Sequence, residues 1–324
     1  MTKVSRRAIL RATGVVGLGL LAGCGRLPGQ TTQIPRIGVL RATNEAFLQE
    51  PGEAFTQALQ ELGYVEGRTI IIERRPADGV ADLLQPPVDV IVAAGTLAIR
   101  VARDATSTIP IIMVLASEPV RQGFVASLAR PGGNLTGLSV LNVQLTGKKL
   151  ELLRDTVPAI STVAFLWNPA IPDRAYELEE LDAATQALAL RALPVEARAP
   201  EDLDGAIAAA ARTQPGALLL QNSALNAVHQ ARIADLAARH SLATMSGFPE
   251  FPSQGGLMGY GPNRAGQWRQ AAGYVDRILK GTKPADLPVE QPREFEFVIN
   301  LQTARALGLT IPQHVLLQAT EVIR

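Results

Sequence analysis

A single cysteine, Cys24, in 324 residues excludes a disulfide framework and any cysteine-rich metal site. Histidine is nearly as scarce. His229, His240 and His314 are the whole set, and they leave little for a histidine-based metal site or a catalytic triad. Aromatic residues make up 4% of the chain, while Ala, Leu and Gly abound, a composition suited to helices packed closely on sheets. An excess of one charge is missing too: 31 Lys+Arg against 30 Asp+Glu give +1. Residues 1–23 hold Lys3, Arg6, Arg7 and Arg11 and no acid. Without these four the count is 27 against 30, or −3. A body so balanced carries no global basic field, which argues against nucleic acid as a partner. Enzyme signatures are absent as well. There is no G-x-x-x-x-G-K-[ST] and no G-x-S-x-G. The first strand is followed by Arg41-Ala42-Thr43-Asn44 instead of a glycine fingerprint, so no dinucleotide cofactor is expected. His229 and His240, eleven apart on one predicted helix, have no acidic neighbour at metal-ligand spacing and read as surface residues. No cofactor and no catalytic residue is expected.

What is present begins with an address. Lys3 to Arg11 form a positive segment, and Ala12 to Ala22 an apolar run far shorter than the roughly twenty residues that span a bilayer. Ser5-Arg6-Arg7-Ala8-Ile9-Leu10 resembles a twin-arginine export signal, although a general secretory signal can also contain Arg6-Arg7. Leu21-Ala22-Gly23-Cys24 resembles a bacterial lipobox, in which the cysteine thiol takes a diacylglyceryl group and the freed amine an acyl chain. Residues 1–24 are therefore expected to be a signal peptide ending in the lipidated Cys24, and residues 25–35, rich in Gly, Pro, Gln and Thr, a tether.

From Arg36 onward, apolar runs alternate with amphipathic stretches. Ile37–Leu40, Thr69–Glu73, Val88–Ala93 and Ile109–Leu115 are apolar enough to be parallel strands covered on both faces. Helices are expected at Glu53–Leu62, stopped by Gly63, and at Leu97–Ala105. The segment Asp78–Pro87 has room for one or two turns. A second series supplies strands at Thr162–Trp167, Pro194–Ala197, Ala217–Leu220 and Leu242–Met245. Its helices are expected at Asp173–Leu190, Asp202–Arg212 and Asn226–Arg239, with Asp173 and Asp202 as caps. Asn263–Leu279 and Gln302–Leu307 are further helices. Two successive series imply an α/β protein with two doubly wound parallel-sheet lobes. Strand-like connections near Leu138–Val140, Leu257–Tyr260 and Phe295–Val298 predict three crossings that form a hinge. The lobes are expected to comprise 36–138 plus 258–292, and 139–257 plus 293–324. The amphipathic stretch Lys148–Leu153 is expected to pack across their junction.

Several strands end in small polar residues ahead of a helix: Ala94-Gly95-Thr96, Ala116-Ser117-Glu118, Trp167-Asn168-Pro169 and Gln221-Asn222-Ser223. In open parallel sheets ligands bind outside the carboxyl ends of strands, where helix N-termini expose unpaired N–H groups suited to a carboxylate. Capping of the helices is the plainer reading of each residue alone. Together they set polar groups from both lobes at one edge. An apolar side-chain pocket would depend on Phe47, Trp167, Phe248 and Tyr260.

Longer stretches carry a resemblance. Glu61-Leu62-Gly63-Tyr64-Val65-Glu66-Gly67, Asp89-Val90-Ile91-Val92-Ala93-Ala94-Gly95-Thr96, Ser127-Leu128-Ala129-Arg130-Pro131-Gly132-Gly133-Asn134-Leu135-Thr136-Gly137, Leu166-Trp167-Asn168-Pro169, Gly255-Gly256-Leu257-Met258-Gly259-Tyr260-Gly261 and Ala306-Leu307-Gly308-Leu309-Thr310-Ile311-Pro312 are similar to the substrate-binding proteins of ABC transporters, a family that includes tryptophan and aromatic amino-acid binding lipoproteins. The resemblance implies a type I periplasmic-binding-protein fold whose lobes close on a small solute, an amino acid or related carboxylate. It implies an ABC permease and an ATPase as partners and a membrane reached through the lipid anchor. It would place Thr96, Ser117 and Glu118 on one wall of the cleft, Asn168, Asn222 and Ser223 on the other, and Tyr260 near the hinge. The family usually has Asp where Glu118 stands, and a longer helix where Asp78–Pro87 stands. A receptor of the same fold that signals to a membrane partner other than a permease fits the same residues.

Overall fold

The computed structural model describes residues 34–41, 49–157, 159–169 and 175–324. Arg6, Arg7, Cys24, Phe47 and Asp173 lie outside that set. Two sheets organise the rest. The first has the order β2-β1-β3-β4-β5, with β1 (Arg36–Arg41), β2 (Ile71–Pro76), β3 (Val90–Ala94), β4 (Ile111–Ser117) and β5 (Leu135–Val140), all parallel. Every residue of β3 is buried, because α1 (Gln49–Glu61) and α8 (Arg264–Leu279) cover one face and α2 (Thr96–Ala105) the other. Phe55 of α1 meets Trp268 of α8 edge to face, with ring centroids 5.7 Å apart. α1 stops where expected, at Gly63, whose φ of +91° suits the left-handed turn after a helix. A short 3-10 helix, Ala77–Leu83, fills the segment with room for one or two turns.

The second sheet has the order β12-β11-β10-β9-β8-β6-β7. Its strands are β6 (Thr162–Trp167), β7 (Arg191–Glu196), β8 (Ala217–Leu220), β9 (Ala243–Ser246), β10 (Met258–Pro262), β11 (Phe295–Asn300) and β12 (Glu321–Ile323). It is parallel except where β10 and β11 run antiparallel. Around it lie α3 (Thr146–Thr156), α4 (Ala175–Ala187), α5 (Asp202–Ala211), α6 (Ala224–Val228), α7 (Gln230–Arg239), α9 (Leu301–Ala306) and α10 (Gln313–Leu316).

Four expectations need correction. The Lys148–Leu153 stretch does not bridge the lobes: Leu150, Leu152 and Leu153 of α3 are buried in the core of the second sheet beside Leu181 and Met245. The helix expected over Asn226–Arg239 is broken at His229, whose φ and ψ of −101° and 26° leave the helical region, so His229 and His240 flank α7. Asp202 does not cap α5. Its carboxylate turns back to accept the N–H groups of Arg198 (2.8 Å) and Ala199 (3.0 Å), ordering the turn before the helix.

The fourth concerns the crossings. Leu138–Val140 lies wholly within the first sheet, and Met258–Tyr260 and Phe295–Val298 wholly within the second. The chain changes sheet between β5 and α3, between β10 and α8, and between Glu290 and β11. Strand pairing extends further than apolar runs suggest, because β10 and β11 satisfy each other's backbone groups along the second sheet. The three passages are tied down. Lys149 Nζ donates to the Asn142 carbonyl at 3.3 Å. Asn263 donates to Glu296 Oε1 at 2.6 Å and caps α8 by accepting from Gly266 N–H. The largely buried Arg264 pairs with Glu250. Ser139 N–H donates to the Glu290 carbonyl at 2.9 Å.

Candidate functional site

Each sheet has one place where the strand order reverses. In the first, the chain goes from β1 outward to β2 and then back to β3. In the second, it goes from β6 outward to β7 and back to β8. The carboxyl ends of β1 and β3, and of β6 and β8, are thus the two topological switch points, where such sheets leave a crevice for a ligand.

At the first switch point Arg41 is in register with Ala94, and Gly95-Thr96 follow directly. Gly95, with φ +84°, precedes α2 and offers no side-chain cap, so the N–H groups of the first turn have no partner from that side. Thr96 is half-buried there. Burial, and then the nearby Arg74, hold the Arg41 guanidinium below its ordinary pKa, and it lies over the Trp268 ring at 5.7 Å. One strand further, β4 carries a bulge between Met113 and Ala116, with Leu115 at φ +59°. Gly137 on β5 makes the bulge possible, since a Cβ there would come within 2.2 Å of the Met113 carbonyl. Bulges of this kind re-aim the residues that follow. Those are Ser117, buried, and Glu118, half-buried at φ +47°. Glu118 accepts a hydrogen bond from Gln144, which lies in the first passage between the sheets.

The second switch point is built from amides. Asn168 follows β6 and Asn222 follows β8. The buried Gln221 joins them: its Oε1 accepts the Asn168 N–H at 2.8 Å, and its Nε2 donates to Glu177 Oε2 on α4 at 2.5 Å. The buried Asn226 donates to the carbonyls of Leu166 (3.2 Å) and Gln221 (3.0 Å), fastening β6 to β8. Ser223 is a cap, accepting the Asn226 N–H at 3.2 Å. Asn222 donates to the Gly247 carbonyl at 3.5 Å, while its Oδ1 is buried without a partner. Gly247 leaves room for that oxygen, because a Cβ there would fall 1.9 Å from it. Trp167 packs against the second core with its Nε1 also unpaired.

The structure thus places Thr96 at the first switch point with Ser117 and Glu118 one strand along the same edge, and Asn168 and Asn222 at the second. Tyr260 does not join the second group. It sits on β10, two strands from β8, with its ring on Phe295 and Phe297 at 6.2 and 6.1 Å, and burial raises its pKa. Phe248 lies under the Arg264 guanidinium at 5.6 Å. Gln144, Glu177 and Asn226 are not marked as site residues by the sequence, whereas Gln221 is, as part of the polar strand end that includes Asn222. Among the described residues no three His, Cys, Asp or Glu side chains are grouped to hold a metal ion.

Two α/β lobes with three passages between them, each with polar groups at a switch point, define the two-lobed fold of the type I periplasmic binding proteins. Solved structures of that class match the chain. A conserved domain protein from Vibrio cholerae O1 biovar El Tor superposes with a TM-score of 0.84 at 23% identity, over 90% of this chain and 100% of that one. An ABC domain in complex with L-Trp from Streptococcus pneumonia superposes with a TM-score of 0.83, also at 23% identity and over 90% and 100%. The chain belongs to the ABC transporter substrate binding protein family, whose model matches residues 36–323. A relative named tyrosine-binding protein, from Clostridioides difficile strain R20291, is 23% identical over 328 residues, covering 95% of this chain and 94% of that protein. Substrate-binding proteins of ABC transporters are extracytoplasmic. Among the described residues no helix is long and apolar enough to cross a membrane.

Proposed function

We propose that this chain is the solute-capturing subunit of an ABC importer, that its ligand is a free amino acid, and that the two lobes close on it. The reading is carried by one coincidence: a family match over nearly the whole chain, and polar strand ends at both switch points. The ligand class is supported by relatives described as binding tyrosine and as complexed with L-Trp. The chemistry fits. An α-carboxylate suits the uncapped start of α2 with the Thr96 and Ser117 hydroxyls. An α-ammonium suits the unpartnered Asn222 Oδ1 and the Glu118 carboxylate. Asn168 adds a group that donates and accepts. Contacts from both lobes stabilise the closed form over the open one, which is all that closure requires. The three passages then act as the hinge, with Tyr260 beside the second. No chemical step is assigned to the protein.

Cys24 is proposed as the lipid anchor, Arg6 and Arg7 as export signal, and a permease and ATPase as the partners that receive the closed form. Mass spectrometry of small molecules released from the purified protein tests the ligand class. An α-amino acid at stoichiometric level is expected, and a sugar or polyol in its place would overturn it. For the anchor, Cys24→Ala is expected to abolish labelling by a fatty-acid probe and to release the protein from the membrane fraction.

A further inference from the structure

We propose that Tyr176, in the first turn of α4, is the positioning residue that couples the ligand-facing strand ends of the second lobe to closure, with Gln122 of the first lobe as its counterpart. The inference rests on the reading that the lobes close on a solute, and adds the device by which one wall reports to the other.

The contacts form a continuous path. Gln122, in the turn that follows Glu118, donates from Nε2 to Tyr176 Oη at 3.3 Å, across the lobes. The orientation of that amide is fixed on the first-lobe side, because its Oε1 accepts from Arg100 Nη2 of α2 at 2.7 Å. Arg121, the neighbouring residue, holds its guanidinium 5.6 Å from the centre of the Tyr176 ring. Tyr176 is therefore held from the first lobe by a hydrogen bond to its oxygen and a cation at its face.

On its own side Tyr176 is tied to the strand ends. The next residue, Glu177, accepts from Gln221, and Gln221 accepts the Asn168 N–H at the end of β6. Gln221 is 3% exposed and Asn226, which donates to its carbonyl, 1% exposed, so these amides have little freedom to turn. A solute held by Asn168 and Asn222 is thereby joined, through the fixed Gln221 and Glu177, to the turn that carries Tyr176. A coupling of this kind needs a difference in free energy between two states, and a contact between the lobes that is lost when they part supplies one.

The test uses the full chain with Cys24→Ser and a spin label on each lobe, at the exposed Arg68 and Glu201. Interlobe distances are read without ligand and with L-tyrosine or L-tryptophan. Tyr176→Ala is expected to move the population toward longer distances in the ligand-free protein. It is also expected to speed dissociation of either amino acid by about tenfold, with the association rate little changed. Tyr176→Phe, which keeps the ring beside Arg121, is expected to cost about threefold. Its effect should be non-additive with Gln122→Ala, which a merely structural tyrosine would not give. Distance distributions and dissociation rates indistinguishable from those of the unsubstituted chain would overturn the inference. If neither amino acid shortens the distance in the unsubstituted chain, the amino-acid reading fails, and the ligand-free comparison with Tyr176→Ala still decides the coupling.

Discussion

The two walls of the cleft are built differently. In the first lobe the strand ends are left open. α2 starts at Gly95 without a side-chain cap, and the hydroxyls of Thr96 and Ser117 make no hydrogen bond with the described residues. In the second lobe nearly every strand-end amide is already engaged: Gln221 with Glu177 and Asn168, Asn226 with two carbonyls, Ser223 with the start of α6. The contrast separates two tasks. In the proposed reading, an open wall contributes donors that a ligand satisfies, and so contributes affinity. A knitted wall contributes fixed geometry, because its groups have already lost their freedom before the ligand arrives. Asn222 Oδ1, buried and without a partner among the described residues, is then its most informative atom.

The largest effect should come from cutting the knitted wall. Gln221→Leu removes one hydrogen bond from the Asn168 N–H and one from the Glu177 carboxylate inside a buried network. The loss is expected to be about 3–4 kcal/mol in denaturant unfolding, with amino-acid binding abolished. A smaller loss than that of a typical surface substitution would show that the network is ornamental.

The second lobe also holds a cost. Lys149 is 4% exposed, its Nζ has only the Asn142 carbonyl among the described residues, and burial lowers its pKa to about 8. A lysine depressed in the folded state binds its proton more weakly there than when unfolded. Its penalty is therefore full below pH 8 and relieved as pH rises toward the ordinary lysine value. Lys149→Met is expected to stabilise the protein by roughly 3 kcal/mol near pH 7. The difference between the two proteins should shrink steadily between pH 8 and 10. A difference independent of pH would mean that the gain comes from packing alone.

Two smaller perturbations separate the walls by affinity. Gly247→Ala drives a methyl group into Asn222 and turns its amide. Amino-acid affinity should fall about tenfold in calorimetry while the melting temperature changes little. Thr96→Val, on the open wall, should cost about threefold in affinity and under about 0.5 kcal/mol in stability. If Thr96→Val destabilised the fold more than Gln221→Leu, the comparison between the walls would be reversed.

Much of this fold was legible in the sequence because its strands are apolar on both faces and its helices amphipathic. Thr162–Trp167 and Ala217–Leu220 begin and end where expected, and the helix expected over Asn263–Leu279 is found with Asn263 as its cap. The crossings were less legible. β10 and β11 satisfy their backbone groups by pairing with each other, and a single run of residues carries no record of its partner. The same reason hid much of the site. Thr96, Asn168 and Asn222 stand one or two residues after strands, where a linear reading looks. Glu177 lies 44 residues from Gln221, and Tyr176 lies 54 from Gln122, so the first contact exists only once the second sheet has formed and the second only once both have. Tyr260 is marked by its motif, but its ring contacts with Phe295 and Phe297 on the neighbouring strand again depend on a pairing that the sequence does not record.

The central claim is that an open wall and a knitted wall close together on one amino acid. Small-angle scattering of the full chain during titration with L-tyrosine or L-tryptophan tests it most directly. The account predicts saturable one-to-one binding accompanied by a fall in the radius of gyration, with both changes following the same curve. Saturable binding at constant radius, or no response to any α-amino acid, would contradict it.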